Sequence, residues 1–403
     1  MKHNARPVAL LLALTLALAG CSKPMAQEPT PTPIPPTHPI QETASPQPTS
    51  TPTPAPVPTP DNLVPYEGIV EHLFFHPVIC YPELAFDGDH QEKGLDDWMV
   101  TLNEYNAILE AVYKNDYVLI HMGDVWSEQL NADGELRMVR NEILVPEGKK
   151  PLVISYDDVN YYQYMLDNGF THKLIVGDDG KLWSWGLDPQ GNEVVSRDLD
   201  AVTILDKFVE KHPDFSPFGA KGCLSLTGYM GILGYRTQTD RDNQTAEFEA
   251  NRQKEIEAVK PIVQILKDTG WTFGSHTWGH ANLETASLAR IQDDTQRWAD
   301  EVGTLVGETN ILFYPHGARP DGNDWTQTGP KFQYLHSMGF RVFASVGVES
   351  FSFIKRDISA VICDRLHPDG TTLRWHRNKY LQFYDAKDIM EVDVRPDYGY
   401  NWD

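Results

Sequence analysis

Two histidines four residues apart, His276 and His280 in Gly274-Ser275-His276-Thr277-Trp278-Gly279-His280, and an adjacent carboxylate pair, Asp157-Asp158, are the residues of this chain best equipped for chemistry. Two imidazoles and one carboxylate delivered from a distant strand end make a facial three-ligand set. Such a set suits zinc or a similar divalent ion and leaves a coordination position open for water. A second carboxylate beside the ligand Asp can then act as base toward that water. Either motif alone is common: histidines at this spacing arise by chance, and an Asp pair usually marks a turn or helix cap. Their weight comes from occurring together, each directly after a strand-like run. The combination points to a metal-dependent hydrolase.

The elements that must position these residues read as an α/β alternation. Apolar runs predict strands over 72–80, 117–121, 151–155, 222–226, 271–274, 310–313 and 340–345. Helical spacing of Trp98, Leu102, Tyr105, Leu109 and Val112 follows Asp96-Asp97, which predicts a capped helix there. Further helices are expected over 160–168, 202–209, 246–268, 285–305 and 331–338, and a strand over 173–176. Residues 177–196, with Asp-Asp-Gly, Pro-Gln-Gly-Asn, Trp183 and Trp185, predict a hairpin excursion rather than a repeat of the main unit. Strand–helix–strand repetition argues for a parallel sheet, closed as a barrel or open and doubly wound, with chemistry at the strand carboxyl ends.

The N-terminal segment sets the expected location. Residues 1–21 read as an export signal: Lys2 and Arg6 precede the apolar run Val8–Ala19, which closes on Leu18-Ala19-Gly20-Cys21. That ending resembles the lipobox of bacterial lipoproteins, with Cys21 as the lipidated residue and the membrane as partner through the lipid anchor. Residues 22–62 are a Pro/Thr-rich tether with almost no large apolar side chains, expected to be disordered. At ~3.1 Å per residue it would reach ~100 Å if fully extended. Residues 63–403 form the expected catalytic body, a single domain acting as a monomer. Lys2, Arg6 and Lys23 balance Glu28, Glu42 and Asp61, so the whole formal charge of −23 falls on that body. This excludes non-specific nucleic-acid binding and fits a neutral or cationic polymer. Cys80, Cys223 and Cys363 are too scattered for a disulfide framework or a metal cluster and read as buried apolar residues.

Ser155-Tyr156-Asp157-Asp158 resembles the Thr-Phe-Asp-Asp block of polysaccharide deacetylases of the nodulation-factor type, carbohydrate esterase family 4. Ser275-His276-Thr277-Trp278-Gly279-His280 resembles the second block of that family, and Phe313-Tyr314-Pro315-His316-Gly317 resembles the third. The similarity covers roughly residues 70–365. It implies a distorted, incomplete (β/α) barrel. It implies metal ligation by Asp158, His276 and His280, Asp157 as general base, and an oxyanion donor at the His316 N–H after Pro315. The implied reaction is removal of N-acetyl groups from peptidoglycan or chitin-like polymer, or of O-acetyl groups from xylan.

The chain departs from the family pattern in three respects. Phe313 stands where the family has the Arg that positions its base. No convincing Leu-x-His supplies the usual acid, because Leu366-His367 lies in Asp364-Arg365-Leu366-His367-Pro368-Asp369-Gly370, which reads as a surface turn. Residues 177–196 and 228–239 look inserted. Both His316 and His367 have side chains that titrate near neutrality, and His316 is preferred narrowly as proton donor because it follows directly on the strand end that should line the cleft. Trp278, Trp183 and Trp185 are candidates for stacking on sugar faces, although packing is the commoner fate of Trp. His76 reads as a satisfied barrel residue. The alternative function is a catalytically impaired carbohydrate-binding lipoprotein on the same fold.

Overall fold

The computed structural model describes residues 60–322 and 328–402. The signal-like segment, the lipobox Cys21 and all but the end of the 22–62 tether lie outside the described residues. The described residues fall in one compact unit. Among the described residues no helix is long and apolar enough to cross a membrane.

Among the described residues the main sheet has nine strands, of which Phe351–Lys355 runs antiparallel beside the last. Seven of the parallel ones follow one another round it: β1 (Glu71–Phe75), β2 (Lys150–Asp157), β3 (Gly222–Leu226), β4 (Thr272–Ser275), β5 (Ile311–Phe313), β6 (Val342–Val346) and β7 (Ala360–Arg365). They pair in the order β7-β6-β5-β4-β3-β2-β1. The two ends of this order then meet: the Phe74 N–H donates to the Leu366 carbonyl and the Leu366 N–H to the His72 carbonyl, each at 2.9 Å. The sheet is thus a nearly closed, distorted barrel, as the family resemblance implies. The short strand Tyr117–Leu119 pairs with the start of β2, on the edge that β3 takes further along. Near-continuous burial along β2, β3, β5 and β7 explains their unbroken Val/Ile/Leu-rich sequences, since helices cover the outer face of a parallel sheet.

Helices α1 (Leu102–Lys114), α2 (Ala201–Lys211), α3 (Ala246–Asp268), α4 (Leu288–Trp298) and α5 (Pro330–Ser337) supply that cover. Thr245 and Ser287 cap α3 and α4 by accepting from backbone N–H groups three residues on. The helix expected over 285–305 is α4 followed by a π-turn, Ala299–Gly303, and a final short turn, Thr304–Val306. Lys173–Val176 belongs to a separate antiparallel meander with Leu182–Leu187 and Glu193–Ser196, so 177–196 is the excursion its turn residues predict.

Two expectations are corrected. Asp96 does not cap α1. Thr101 and Glu104 form a reciprocal capping box there, while Asp96 is buried against Arg374 and Arg395. The segment read as a surface turn, 364–370, is the end of β7 and its exit: Arg365 is fully buried, and Leu366 and His367 nearly so. Pro368-Asp369-Gly370 does turn the chain, but inward of the rim, because β7 must hydrogen-bond β1 to close the barrel.

Candidate active site

Every residue singled out for chemistry in the body sits at or just past a strand carboxyl end, where a barrel places its reactive groups. Asp157 ends β2 and Asp158 follows it; His276 follows β4, and Pro315-His316 follows β5. Asp158, His276 and His280 come together, one donor atom of each lying within 4.8 Å of the others. The backbone is forced to achieve this. Asp158, Thr277, His280 and His316 all have positive φ, between 49° and 62°, a conformation that non-glycine residues adopt only where surrounding structure compels it. Part of the compulsion is visible at Asp294 on α4, whose carboxylate accepts the N–H groups of Trp278 and Gly279 at 2.6 and 2.9 Å.

The donor set fits a divalent ion. The Nδ1 of His276 lies 3.1 Å from the Phe313 carbonyl, which can only accept, so Nδ1 carries the proton and Nε2 keeps its lone pair for a ligand. The Tyr162 hydroxyl donates to Asp158 Oδ1 at 2.6 Å and leaves Oδ2 facing His280, whose Nε2 is 3.6 Å away. Burial opposes ionisation of Asp158, but His280, His276 and His76, with the Tyr162 hydroxyl, outweigh it and hold the carboxyl below its usual range. Burial is also the main reason that His276 is pushed below the ordinary imidazole value, toward the neutral form a metal needs.

Asp157 is held differently. Arg365 donates through Nη1 and Nη2 to its two oxygens at 2.8 and 2.9 Å, a bidentate pair with both side chains buried. The guanidinium lies between the rings of Phe74 and Phe313, 4.0 and 4.5 Å from their centroids. Nη1 also reaches Ser155 Oγ at 3.1 Å; having accepted there, Ser155 can donate to His72 Nε2, 2.9 Å away. His72 is accordingly driven well below its ordinary value, by burial first and then by Arg365. Burial alone would raise the Asp157 carboxyl. Arg365, helped by His276, instead holds it well below the carboxylate range. The Arg absent from position 313 is therefore supplied at position 365, from another strand.

The two candidate proton donors take different surroundings. His316 is exposed on the turn Pro315–Gly317, its ring centroid 4.4 Å from that of His280. Burial and then His280 lower its pKa, which favours the form without a proton to give. Its backbone N–H is not among the hydrogen bonds that close the turn, which use the N–H groups of Gly317 and Ala318. His367 is buried: Nδ1 is 2.8 Å from Asp369 and Nε2 is 3.0 Å from His76 Nδ1. His76 Nε2 in turn is 3.9 Å from Asp158 Oδ2. His76, read from sequence as a barrel residue, thus joins Asp369 and His367 to the ligand cluster.

Trp278 does not offer a free indole as a stacking surface. Arg297 lies over its ring, 3.3 Å from the centroid, and its Nε1 donates to Glu301 at 2.8 Å. A ring already covered by a cation that Glu301 also anchors supports the loop rather than a sugar. Pro315 is buried at the start of its turn. Trp183 donates to Asp179, and Trp185 lies beneath Lys173, so both belong to the meander. Cys223 and Cys363 are buried free thiols, and Cys80 is partly buried.

Residues 240–341 match the family described as polysaccharide deacetylase, a span that contains His276, His280 and the Pro315-His316 turn. The fold is similar to the Streptococcus pyogenes deacetylase PplD in complex with acetate, at 13% identity, covering 77% of this chain and 95% of that one with a TM-score of 0.39. A polysaccharide deacetylase from Bacillus cereus is similar at 13% identity, covering 80% and 69%, with a TM-score of 0.42. IcaB from Ammonifex degensii is similar at 10% identity, covering 75% and 93%, with a TM-score of 0.38. No sequence among curated proteins matches the chain.

Proposed function

We propose that this chain, a polysaccharide deacetylase family member by its match over residues 240–341, removes N-acetyl groups from an amino-sugar polymer such as peptidoglycan or chitin at the outer face of a bacterial membrane. The observation that carries the reading is the convergence of Asp158, His276 and His280 beside an Asp157 held by Arg365. A divalent ion, zinc by preference, held by those three ligands would acidify water and polarise the acetyl carbonyl. Asp157 stays ionised because of Arg365, is aimed by two hydrogen bonds, and takes the proton from the attacking water. The His316 N–H donates to the oxyanion, a contribution of about 3 kcal/mol for a well-placed donor.

The leaving amine needs a proton, and the His76–His367–Asp369 chain supports a route for it. The Asp369 carboxylate fixes the proton on His367 Nδ1. When His367 carries a second proton on Nε2, that N–H donates to His76 Nδ1 and His76 carries its own proton on Nε2. His76 gives the Nε2 proton to the amine as Nδ1 takes one from His367, and the pair ends one proton poorer with both rings neutral. His76 and His367 therefore replace the His316 imidazole in the donor role.

An inactive carbohydrate-binding protein was the alternative because the positioning Arg and the acid looked missing. The pairing of Arg365 with Asp157 and the place of His367 beside His76 favour the active reading instead. The location rests on the lipobox at Cys21 and the tether over 22–62. The test is acetate release by the zinc-loaded full chain from chitin oligomers, peptidoglycan and acetylated xylan. Release from the first two and little from xylan is the expected outcome; no release from any of them contradicts the proposal.

A further inference from the structure

Three separate stretches of chain present exposed aromatic rings around one buried ion network. Trp98, 55% exposed, ends the helix Glu92–Trp98; Trp375, 46% exposed, ends the helix Gly370–Trp375; Tyr398 and Tyr400, 40% and 50% exposed, follow on the last segment. Beneath them Asp96 takes Arg374 at 2.9 Å and Arg395 at 2.8 Å, and Glu104 takes Arg395 at 2.7 Å, with all four side chains buried. Arg374 also donates to the carbonyls of Pro396 and Gly399, at 2.7 and 2.9 Å, and Trp402 Nε1 donates to the Leu373 carbonyl at 2.7 Å. Burying two guanidinium and two carboxylate groups adds little net stability; what it does is fix geometry. Here the geometry fixed is that of the segments carrying the rings, since Trp98 is two residues from Asp96 and Trp375 is next to Arg374. The rings are braced as well: Tyr400 stacks on Trp402 at 4.1 Å, and the Tyr398 hydroxyl donates to Glu92 at 2.7 Å.

The segment that carries Trp375 begins at the candidate active site. Asp369, whose carboxylate holds His367, is also the N-cap of Gly370–Trp375 and bonds the Thr372 N–H at 2.7 Å. Trp375 is six residues on, about 9 Å along the helix at 1.5 Å per residue. The last segment beside the rings is net acidic: Asp393 and Asp397 are exposed there with Arg395 consumed by the buried network, while exposed Asp388 is offset by its neighbour Lys387, and Lys379 is exposed nearer Trp375.

We propose that Trp98, Trp375 and Tyr400 form a platform for an amino-sugar polymer beyond the reacting residue, with partly de-acetylated stretches preferred. Aromatic faces suit the apolar faces of pyranose rings, the Tyr400 hydroxyl suits a sugar hydroxyl, and the carboxylates suit the ammonium groups that de-acetylation creates. The inference rests on the deacetylase reading for its choice of polymer, and its test separates the two.

The full chain carrying Asp157→Asn, so that it does not alter the probe, is co-sedimented with insoluble chitin, with chitosan and with cellulose. Retention should be strongest on chitosan, weaker on chitin and weakest on cellulose, with salt reducing the chitosan binding. Trp98→Ala with Trp375→Ala should lower affinity for chitosan and chitin roughly tenfold, and Trp98→Phe with Trp375→Phe should keep most of it. With Asp157 intact, the double Ala variant should release acetate from a short soluble chitin oligomer at the parental rate. If the double variant unfolds, Tyr400→Ala, which removes one exposed ring, gives the same readout. Equal retention of ring-deleted and parent proteins, or no retention of the parent on either amino-sugar polymer, overturns the platform. Ring-dependent retention by a chain that releases no acetate leaves the platform standing and overturns the catalytic reading.

Discussion

Arg365 reaches Asp157 across the closing seam of the barrel, 208 residues along the chain, and meets it with two hydrogen bonds of 2.8 and 2.9 Å. The pair ties the last strand to the second at the base of the candidate site. It also explains how a carboxylate can stay charged in a place where burial alone would neutralise it.

Removing the cation should therefore cost both stability and activity. Arg365→Met leaves Asp157 charged, buried and unpaired, a loss of about 3–5 kcal/mol. Arg365→Met with Asp157→Asn should recover much of that. The native pairing depresses the Asp157 pKa, so its stabilisation is present above the unfolded value of about 3.9 and is lost as pH falls through the native value. Without Arg365 the acid limb of the rate profile should move upward. Urea unfolding of the three proteins and a pH–rate profile of Arg365→Met check both statements; an unmoved acid limb would place the base elsewhere.

Much of the site was legible in sequence, and the reason Arg365 was not is physical. Asp157-Asp158 and His276-x-x-x-His280 announce themselves because each follows a local apolar run, and β3 and α3 coincide with their predicted ranges for the same reason. The strand over Ala360–Arg365 was not among those expected, and Pro368-Asp369-Gly370 gave 364–370 the look of a surface turn. Only barrel closure, a pairing of distant residues, buries Arg365 and brings His367 to His76. Trp278 misled in the opposite way: its position beside a ligand suggested substrate contact, and Arg297, nineteen residues on, covers it.

Metal content should follow the three ligands. His276→Ala with His280→Ala should lose the ion without unfolding, and Asp158→Asn should bind it more weakly. Elemental analysis after dialysis against zinc decides this. Equal metal in the double variant and the parent would falsify the assignment.

Proton delivery should separate the histidines. His367→Ala and His76→Ala should each lower turnover roughly 10²-fold or more and remove the high-pH limb of the rate profile, because the donor must be protonated to act. The imidazole of His316 should be dispensable by comparison, since its proposed contribution is a backbone N–H. Full turnover in His367→Ala, with loss in His316→Ala, would reverse the assignment.

The metal-free protein should weaken in mild acid. Burial, then His367, pushes His76 down to about 4, so the unfolded chain takes up a proton there that the folded one refuses. The sign follows: stability is complete above the ordinary imidazole value of about 6.5 and is lost as pH falls toward 4. His76→Gln should flatten that part of the curve measured by thermal unfolding; an unchanged slope would mean that other groups set it.

The central claim is that a metal at Asp158, His276 and His280 works together with Asp157 to release acetate. The direct measurement is acetate released from a chitin oligomer by the full chain after chelation, and again after one equivalent of zinc, in parallel with Asp157→Asn. The parent should be silent when chelated and active when reloaded. Asp157→Asn should take up the same zinc yet release acetate roughly 10²–10⁴-fold more slowly. Equal rates with and without metal, or a fully active Asp157→Asn, would contradict the account.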